Sequence, residues 1–123
     1  MAYELLEQYP PGREAPAAAR RDLAAYLVEL GHQELVRVAA LLVSELVTNS
    51  IVHATGAVTM RASWADDRLR VDVSDVGGGA AKARDPETSG RGLRIVEALA
   101  TRWGSMRRFD GAGRATWFEL ASC

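Results

Sequence analysis

Ser44-Glu45-Leu46-Val47-Thr48-Asn49-Ser50-Ile51-Val52-His53-Ala54 is the stretch whose reading decides the fold. It closes an apolar segment, Leu35 to Ala54, with no Gly or Pro to break a helix. At about 100° per residue, Val36, Ala39, Leu42, Val43, Leu46, Val47 and Ile51 fill one broad arc. Glu45, Asn49 and His53 follow each other at i, i+4 and i+8, a single polar stripe along the edge of that arc. Leu41 and Val52 flank the stripe, so its polar groups are expected to sit among hydrophobes. A carboxylate and an amide so placed need partners, because unpaired burial costs roughly 1–3 kcal/mol for a neutral group and more for a charge. A helix edge with solvated polar residues accounts for this stretch equally well when it is taken alone.

Working outward, the segment Tyr3–Tyr9 is short and bounded by Pro10-Pro11-Gly12, which predicts an edge strand. Glu14 to Leu30 is Ala-rich, with Ala18, Leu23, Tyr26, Leu27 and Leu30 at helical spacing, and Gly31 ends it. From Ala57 the period falls to two: Val58, Met60, Ala62 and Trp64 alternate with Thr59, Arg61 and Ser63, and Ala65-Asp66-Asp67 turns the chain. In the next strand Leu69, Val71 and Val73 point inward, and Arg68, Arg70, Asp72 and Ser74 outward. Asp75 continues the inward parity, a carboxylate on the core side where the strand gives way to glycine. A polar loop from Ala80 to Ser89 leads to a third amphipathic helix, Leu93 to Ala100. Two strands, Arg102–Phe109 and Arg114–Leu120, follow around the hairpin signal Asp110-Gly111-Ala112-Gly113. The order β-α-α-β-β-loop-α-β-β predicts an α+β, two-layer sandwich: a mixed, mostly antiparallel sheet with three helices on one face.

Composition sets limits on the rest. A chain of 123 residues is expected to form one domain spanning 1–123, and 48% hydrophobic with 25% charged residues is ordinary for a soluble globular protein. A net charge of -1 and the absence of a basic stripe argue against nucleic-acid binding. The one cysteine, Cys123, excludes an internal disulfide and a cysteine metal cluster and fits a reducing, cytoplasmic setting. No apolar run is expected to approach the roughly 20 residues of a membrane span, and the first residues lack the layout of a signal peptide.

Three motifs carry the chemistry. Asp75-x-Gly77-x-Gly79 follows a strand. It is either a capped turn or the mouth of a pocket, where an ionised Asp accepts hydrogen bonds from an exocyclic amine such as adenine's. The glycines let backbone approach a flat ring. Gly90-x-Gly92-Leu93 opens a helix, where unpaired N–H groups favour phosphate, and Arg91 adds a charge. Glu45 with Asn49 pairs a candidate base with an oxygen ligand for a hard divalent ion. His53 is a single histidine, better suited to a helix-terminal hydrogen bond than to metal.

Glu45-x-x-x-Asn49, Asp75-x-Gly77-x-Gly79 and Gly90-x-Gly92 occur here in the order of the Bergerat-fold (GHKL) ATPases, the superfamily of gyrase and the histidine kinases, and the chain resembles that superfamily. The phrases Ser44-Glu45-Leu46-Val47-Thr48-Asn49, Gly90-Arg91-Gly92-Leu93-Arg94-Ile95-Val96 and Ala100-Thr101-Arg102-Trp103-Gly104 are similar to its anti-sigma factor serine kinase branch, of the actinobacterial type. The resemblance implies that ATP binds between sheet and helices, with Asp75 on the adenine amine and Asn49 on Mg²⁺. It implies Glu45 as base toward a partner serine, and a nucleotide site that includes Gly77, Gly79, Gly90, Arg91, Gly92, Leu93 and His53. It further implies a STAS-type anti-anti-sigma partner, a sigma factor as a second partner, and a homodimer, with no nucleic acid and no membrane.

One departure stands out. This branch often carries Thr two residues before the final-strand Trp; here that position is Ala115, and the neighbouring Thr116 faces the other side of its strand. A weakened adenine contact is expected, which leaves room for a non-catalytic ATP-binding module that controls a partner by binding. A histidine kinase catalytic domain with His32 as phospho-acceptor is disfavoured, because no dimerisation hairpin precedes His32-Gln33-Glu34-Leu35. A dinucleotide fold is rejected because its glycines belong in one tight turn, not in two clusters.

Overall fold

Alternation builds the sheet. In a computed structural model describing residues 3–53, 56–75, 94–107 and 114–122, β1 (Leu5–Tyr9), β2 (Val58–Ala65), β3 (Arg68–Asp75), β4 (Arg102–Arg107) and β5 (Arg114–Ala121) form one sheet. The strand order is β1-β2-β3-β5-β4. Every pairing among the described residues is antiparallel, in keeping with the mostly antiparallel sheet expected: consecutive hairpins and an edge strand need no parallel crossover. The β2–β3 hairpin turns on Asp66 and Asp67, both left-handed with φ of 54° and 59°, the two-residue turn that matches strand twist.

Helices α1 (Ala15–Glu29), α2 (Val36–His53) and α3 (residues 94–99) cover one face. Pro16 opens α1, where its missing N–H is no loss. Gly31, at φ 85°, closes it in a Schellman turn: Gly31 N–H donates to the Val28 carbonyl at 3.0 Å and His32 N–H to that of Leu27 at 2.8 Å. That turn lays the His32 ring on Trp64, centroids 3.7 Å apart, and the 3₁₀ turn Gln33–Leu35 leads into α2. One ring face of His32 is thereby covered, and its Nδ1 lies 3.3 Å from Glu34 Oε2, a setting unlike that of an exposed phospho-acceptor on a helix.

Ala39, Leu42, Val43, Leu46 and Val47 of α2 are buried with Val58, Met60, Ala62, Leu69, Val71, Val73 and Phe118 of the sheet. The arc read from periodicity is the packed face, with Val36 and Ile51 at its half-buried margins. Two expectations fail on this helix. Leu41 and Val52 are 42% and 59% exposed, so the polar stripe is flanked by open apolar surface; neither residue falls within the arc that meets the sheet. Gln33–Val52 does have the length and mean hydropathy (1.7) of a membrane span, because its charged residues are too sparse to lower the average. In this fold its apolar side packs on strands.

Among the described residues the other sheet face carries no helix. Its outward residues align in cross-strand rows: Leu6, Arg61, Asp72, Trp117 and Gly104; then Gln8, Thr59, Ser74, Ala115 and Met106; then Ser63, Arg70, Glu119 and Arg102. Arg70 stacks over the Trp117 ring at 4.1 Å. Gly104 makes room for that indole, since a Cβ there would lie 2.7 Å from Trp117 Nε1. Gly104→Ala therefore forces the ring off Arg70. A loss of roughly 1–3 kcal/mol in chemical denaturation is expected, with most of it recovered in a Gly104→Ala, Trp117→Leu double variant.

Hydroxyls tie β1 to α1. Tyr9 Oη donates to Asp22 Oδ2 at 2.8 Å, and Tyr26 Oη to the Tyr3 carbonyl at 2.6 Å. Burial, then the Asp22 contact, pushes the Tyr9 phenol well above its ordinary range. The folded state thus keeps a proton that the unfolded chain releases near pH 10, so this contribution is complete below pH 10 and falls as pH rises beyond it. Tyr9→Phe is expected to cost about 1 kcal/mol at neutral pH and to flatten the alkaline fall in melting temperature.

Candidate functional site

Strand parity and helix rotation converge at one end of the sheet. Asp75 is the last residue of β3, pairs with Val58 of β2, and is 4% exposed on the helix-covered side. Burying a carboxylate in line with Leu69, Val71 and Val73 disfavours folding relative to an apolar residue unless the charge is compensated, and Asp75 does interact with the rest of the protein. The segment that departs after Asp75 returns at α3, whose Val96 is fully buried in the core.

Helix α2 runs toward the same end. It starts beyond the His32–Trp64 stack and finishes at His53, five residues before Val58. Asn49 precedes His53 by one turn and Glu45 by two, about 6 and 12 Å along the axis. Both are half-buried. Among the described residues neither has a hydrogen-bond partner in the protein, leaving the Glu45 carboxylate and the Asn49 amide available to a ligand. Ser44, next to Glu45, is turned toward α1, where its Oγ accepts from Arg20 Nη1 at 2.9 Å. That bond joins the two helices along the stripe.

The final strand corrects the expectation for Ala115. Phe118 and Leu120 are the core-facing residues of β5, and Thr116 shares their parity. Thr116 pairs with Val73, one pleat from Asp75, and is 4% exposed on the helix side; Ala115 lies on the open face. The hydroxyl on the site's side of the sheet is therefore present, at Thr116. Its Oγ1 lies 3.2 Å from Ser105 Oγ on β4. Counting back from Trp117 misplaced this residue. Counting in twos from Phe118 and Leu120, both core apolar residues, would have found it.

Of the other expected site residues, His53 is the terminal residue of α2, with its side chain outside the described residues. Gly77, Gly79, Gly90, Arg91, Gly92 and Leu93 also lie outside them. Among the described residues no group of three His, Cys, Asp or Glu forms a metal cluster. The Asn49 side-chain oxygen is of the kind a magnesium ion would take, since that ion uses few protein oxygens and completes its shell with water and substrate phosphate.

A helix-covered antiparallel sheet with a buried acid and hydroxyl at one end, beneath a helix bearing an acid and an amide, is the ground plan of a nucleotide-binding α+β sandwich. The chain belongs to the histidine kinase-like ATPase domain family, which matches residues 10–120. A search of the curated proteins found no match. The fold is thus that of an ATP-binding, kinase-like domain of the GHKL type. Thr116→Val, which removes one hydroxyl and keeps the shape, is expected to change stability by less than about 1 kcal/mol. Calorimetric titration is expected to show ATP affinity falling several-fold.

Proposed function

We propose that this chain is a cytoplasmic, ATP-dependent protein-serine kinase and anti-sigma factor. In this reading it phosphorylates a serine of a STAS-type anti-anti-sigma protein and sequesters a sigma factor, acting as a homodimer. The observation that carries the reading is the buried Asp75, set on the helix side beside Thr116, at the sheet end toward which α2 brings Glu45 and Asn49.

Each residue then has a role. Asp75, acceptor-only when ionised, takes a hydrogen bond from the adenine amine and so selects adenine over guanine, which presents an oxygen at that position. Thr116 adds a hydroxyl on the same side. The Asn49 side-chain oxygen would ligate Mg²⁺, which when bound neutralises charge on the phosphates. Glu45 accepts the proton of the partner serine as its oxygen bonds to the γ-phosphorus. The bond from that phosphorus to the β,γ-bridging oxygen breaks, giving phosphoserine and ADP. The apolar residues beside the stripe, Leu41 and Val52, are open to a docking partner.

The alternative of a non-catalytic ATP-binding module rested on Ala115, and Thr116 removes that support. Two measurements test the proposal. Wild type with Mg²⁺ is expected to transfer labelled phosphate from ATP to the serine partner. Glu45→Gln is expected to lower transfer by about 10²–10⁴ while leaving ATP affinity unchanged. Retained transfer in Glu45→Gln would remove Glu45 as the base. Equal affinity of wild type for ATP and GTP, or of Asp75→Asn and wild type for ATP, would remove Asp75 as the adenine contact.

A further inference from the structure

The uncovered sheet face holds more positive charge than its own carboxylates can engage. Arg68 and Arg102 both approach Glu119 Oε1, at 3.2 and 3.9 Å, and Arg70 approaches Oε2 at 3.5 Å, so three guanidiniums share one carboxylate. Asp72 is already taken by Arg70, at 3.1 Å, a contact that raises the Arg70 pKa further above its ordinary value. The buried Nε of Arg68 has no hydrogen-bond partner. Among the described residues Arg61, on the same face, pairs with Glu4 alone, at 3.8 Å, and its side chain is more than half exposed, as is that of Arg102. Each guanidinium carries five N–H donors in a planar fork suited to a carboxylate. Among the described residues the face is therefore short of acceptors, in a chain whose net charge is -1.

Beside this cluster lies a hollow of 280 Å³ lined by Thr59, Arg61, Asp72, Ser74 and Ala115. Two exposed apolar side chains, Leu6 and Met106, stand on the outer strands in the same two rows. Arginine, methionine and tryptophan are among the residue types enriched in protein–protein interfaces, and here all three share one face of the sheet. Asp72 joins the hollow to Arg70, and Ser74, at the far side of the hollow, is four residues from Arg70 on β3, about 13 Å.

We propose that this face docks an acidic segment of a partner protein, with carboxylates over Arg68, Arg70 and Arg102 and an apolar side chain in the hollow. Asp75, Thr116 and the packed face of α2 lie on the opposite side of the sheet. A partner held here leaves the nucleotide side uncovered, so docking does not depend on the kinase reading.

The test is direct titration of the whole chain with a labelled helical peptide bearing leucines and a glutamate pair about two and a half turns apart. A lysine-for-glutamate peptide serves as control. The glutamate peptide is expected to bind and the lysine peptide not. Arg61→Glu with Arg102→Glu is expected to weaken binding about tenfold or more. Both sites are exposed, and an unchanged circular dichroism melt would show that the fold survives. If that double variant melts early, Met106→Asp, at the face's edge, provides the same readout. Asp75→Asn is expected to bind the peptide as wild type does, which separates this inference from the nucleotide reading. Equal binding of both peptides, no binding at all, or insensitivity to the face variants would overturn the proposal. So would a dimer in sedimentation that these substitutions dissociate, because a second copy would then be the occupant.

Discussion

The seating of α2 on β3 and β5 is the constraint on which the rest of the structure depends. Leu42, Val43, Leu46 and Val47 are buried with Leu69, Val71, Val73 and Phe118, and each such side chain contributes roughly 1.5–3 kcal/mol when removed from water. A rotation of the helix by one residue, about 100°, would expose most of that face. The rotation of α2 is therefore fixed, and with it the half-buried position of Glu45 and Asn49. The same parity in β3 that buries the valines buries Asp75. One packing decision thus sets the helix stripe and the strand-end acid together.

The sheet separates two kinds of chemistry. On its helix side, apolar burial leaves a few polar groups, Asp75 and Thr116 among them, in surroundings where a hydrogen bond to a ligand is strong. On its open side, arginines and acids pair around Glu119, which they bury, while Arg61 and Arg102 stay more than half exposed, where such pairs add little stability individually. Gly104 connects the two faces of β4: lacking a side chain, it lets Trp117 lie across the strand while Trp103 packs against the core beside it.

Most of the fold was legible because its elements carry clean periods. The three-helix, five-strand plan, the turn at Asp66-Asp67 and the inward series Leu69, Val71, Val73, Asp75 all follow from local pattern, and each appears as expected. Errors arose where pattern was silent about neighbours. Leu41 and Val52 look like core residues by type, yet among the described residues no element buries them. Ala115 and Thr116 were assigned by distance from a tryptophan, but which side of β5 faces the helices depends on its pairing with β3. A helix as apolar as Gln33–Val52 passes by composition for a membrane span until the sheet beneath it is seen.

By itself the sequence determined the order of elements, the face of α2 that is buried, the outlying position of β1, and the choice of Glu45, Asn49 and Asp75 as the residues to examine. These follow from spacing along one element, and spacing is local. Only the tertiary structure decided that Thr116 shares a side of the sheet with Asp75, that Gly104 serves Trp117, and that three arginines gather on Glu119. Those relations join residues on different strands, and register between strands is set by the packing of the whole core, which no single stretch of chain contains.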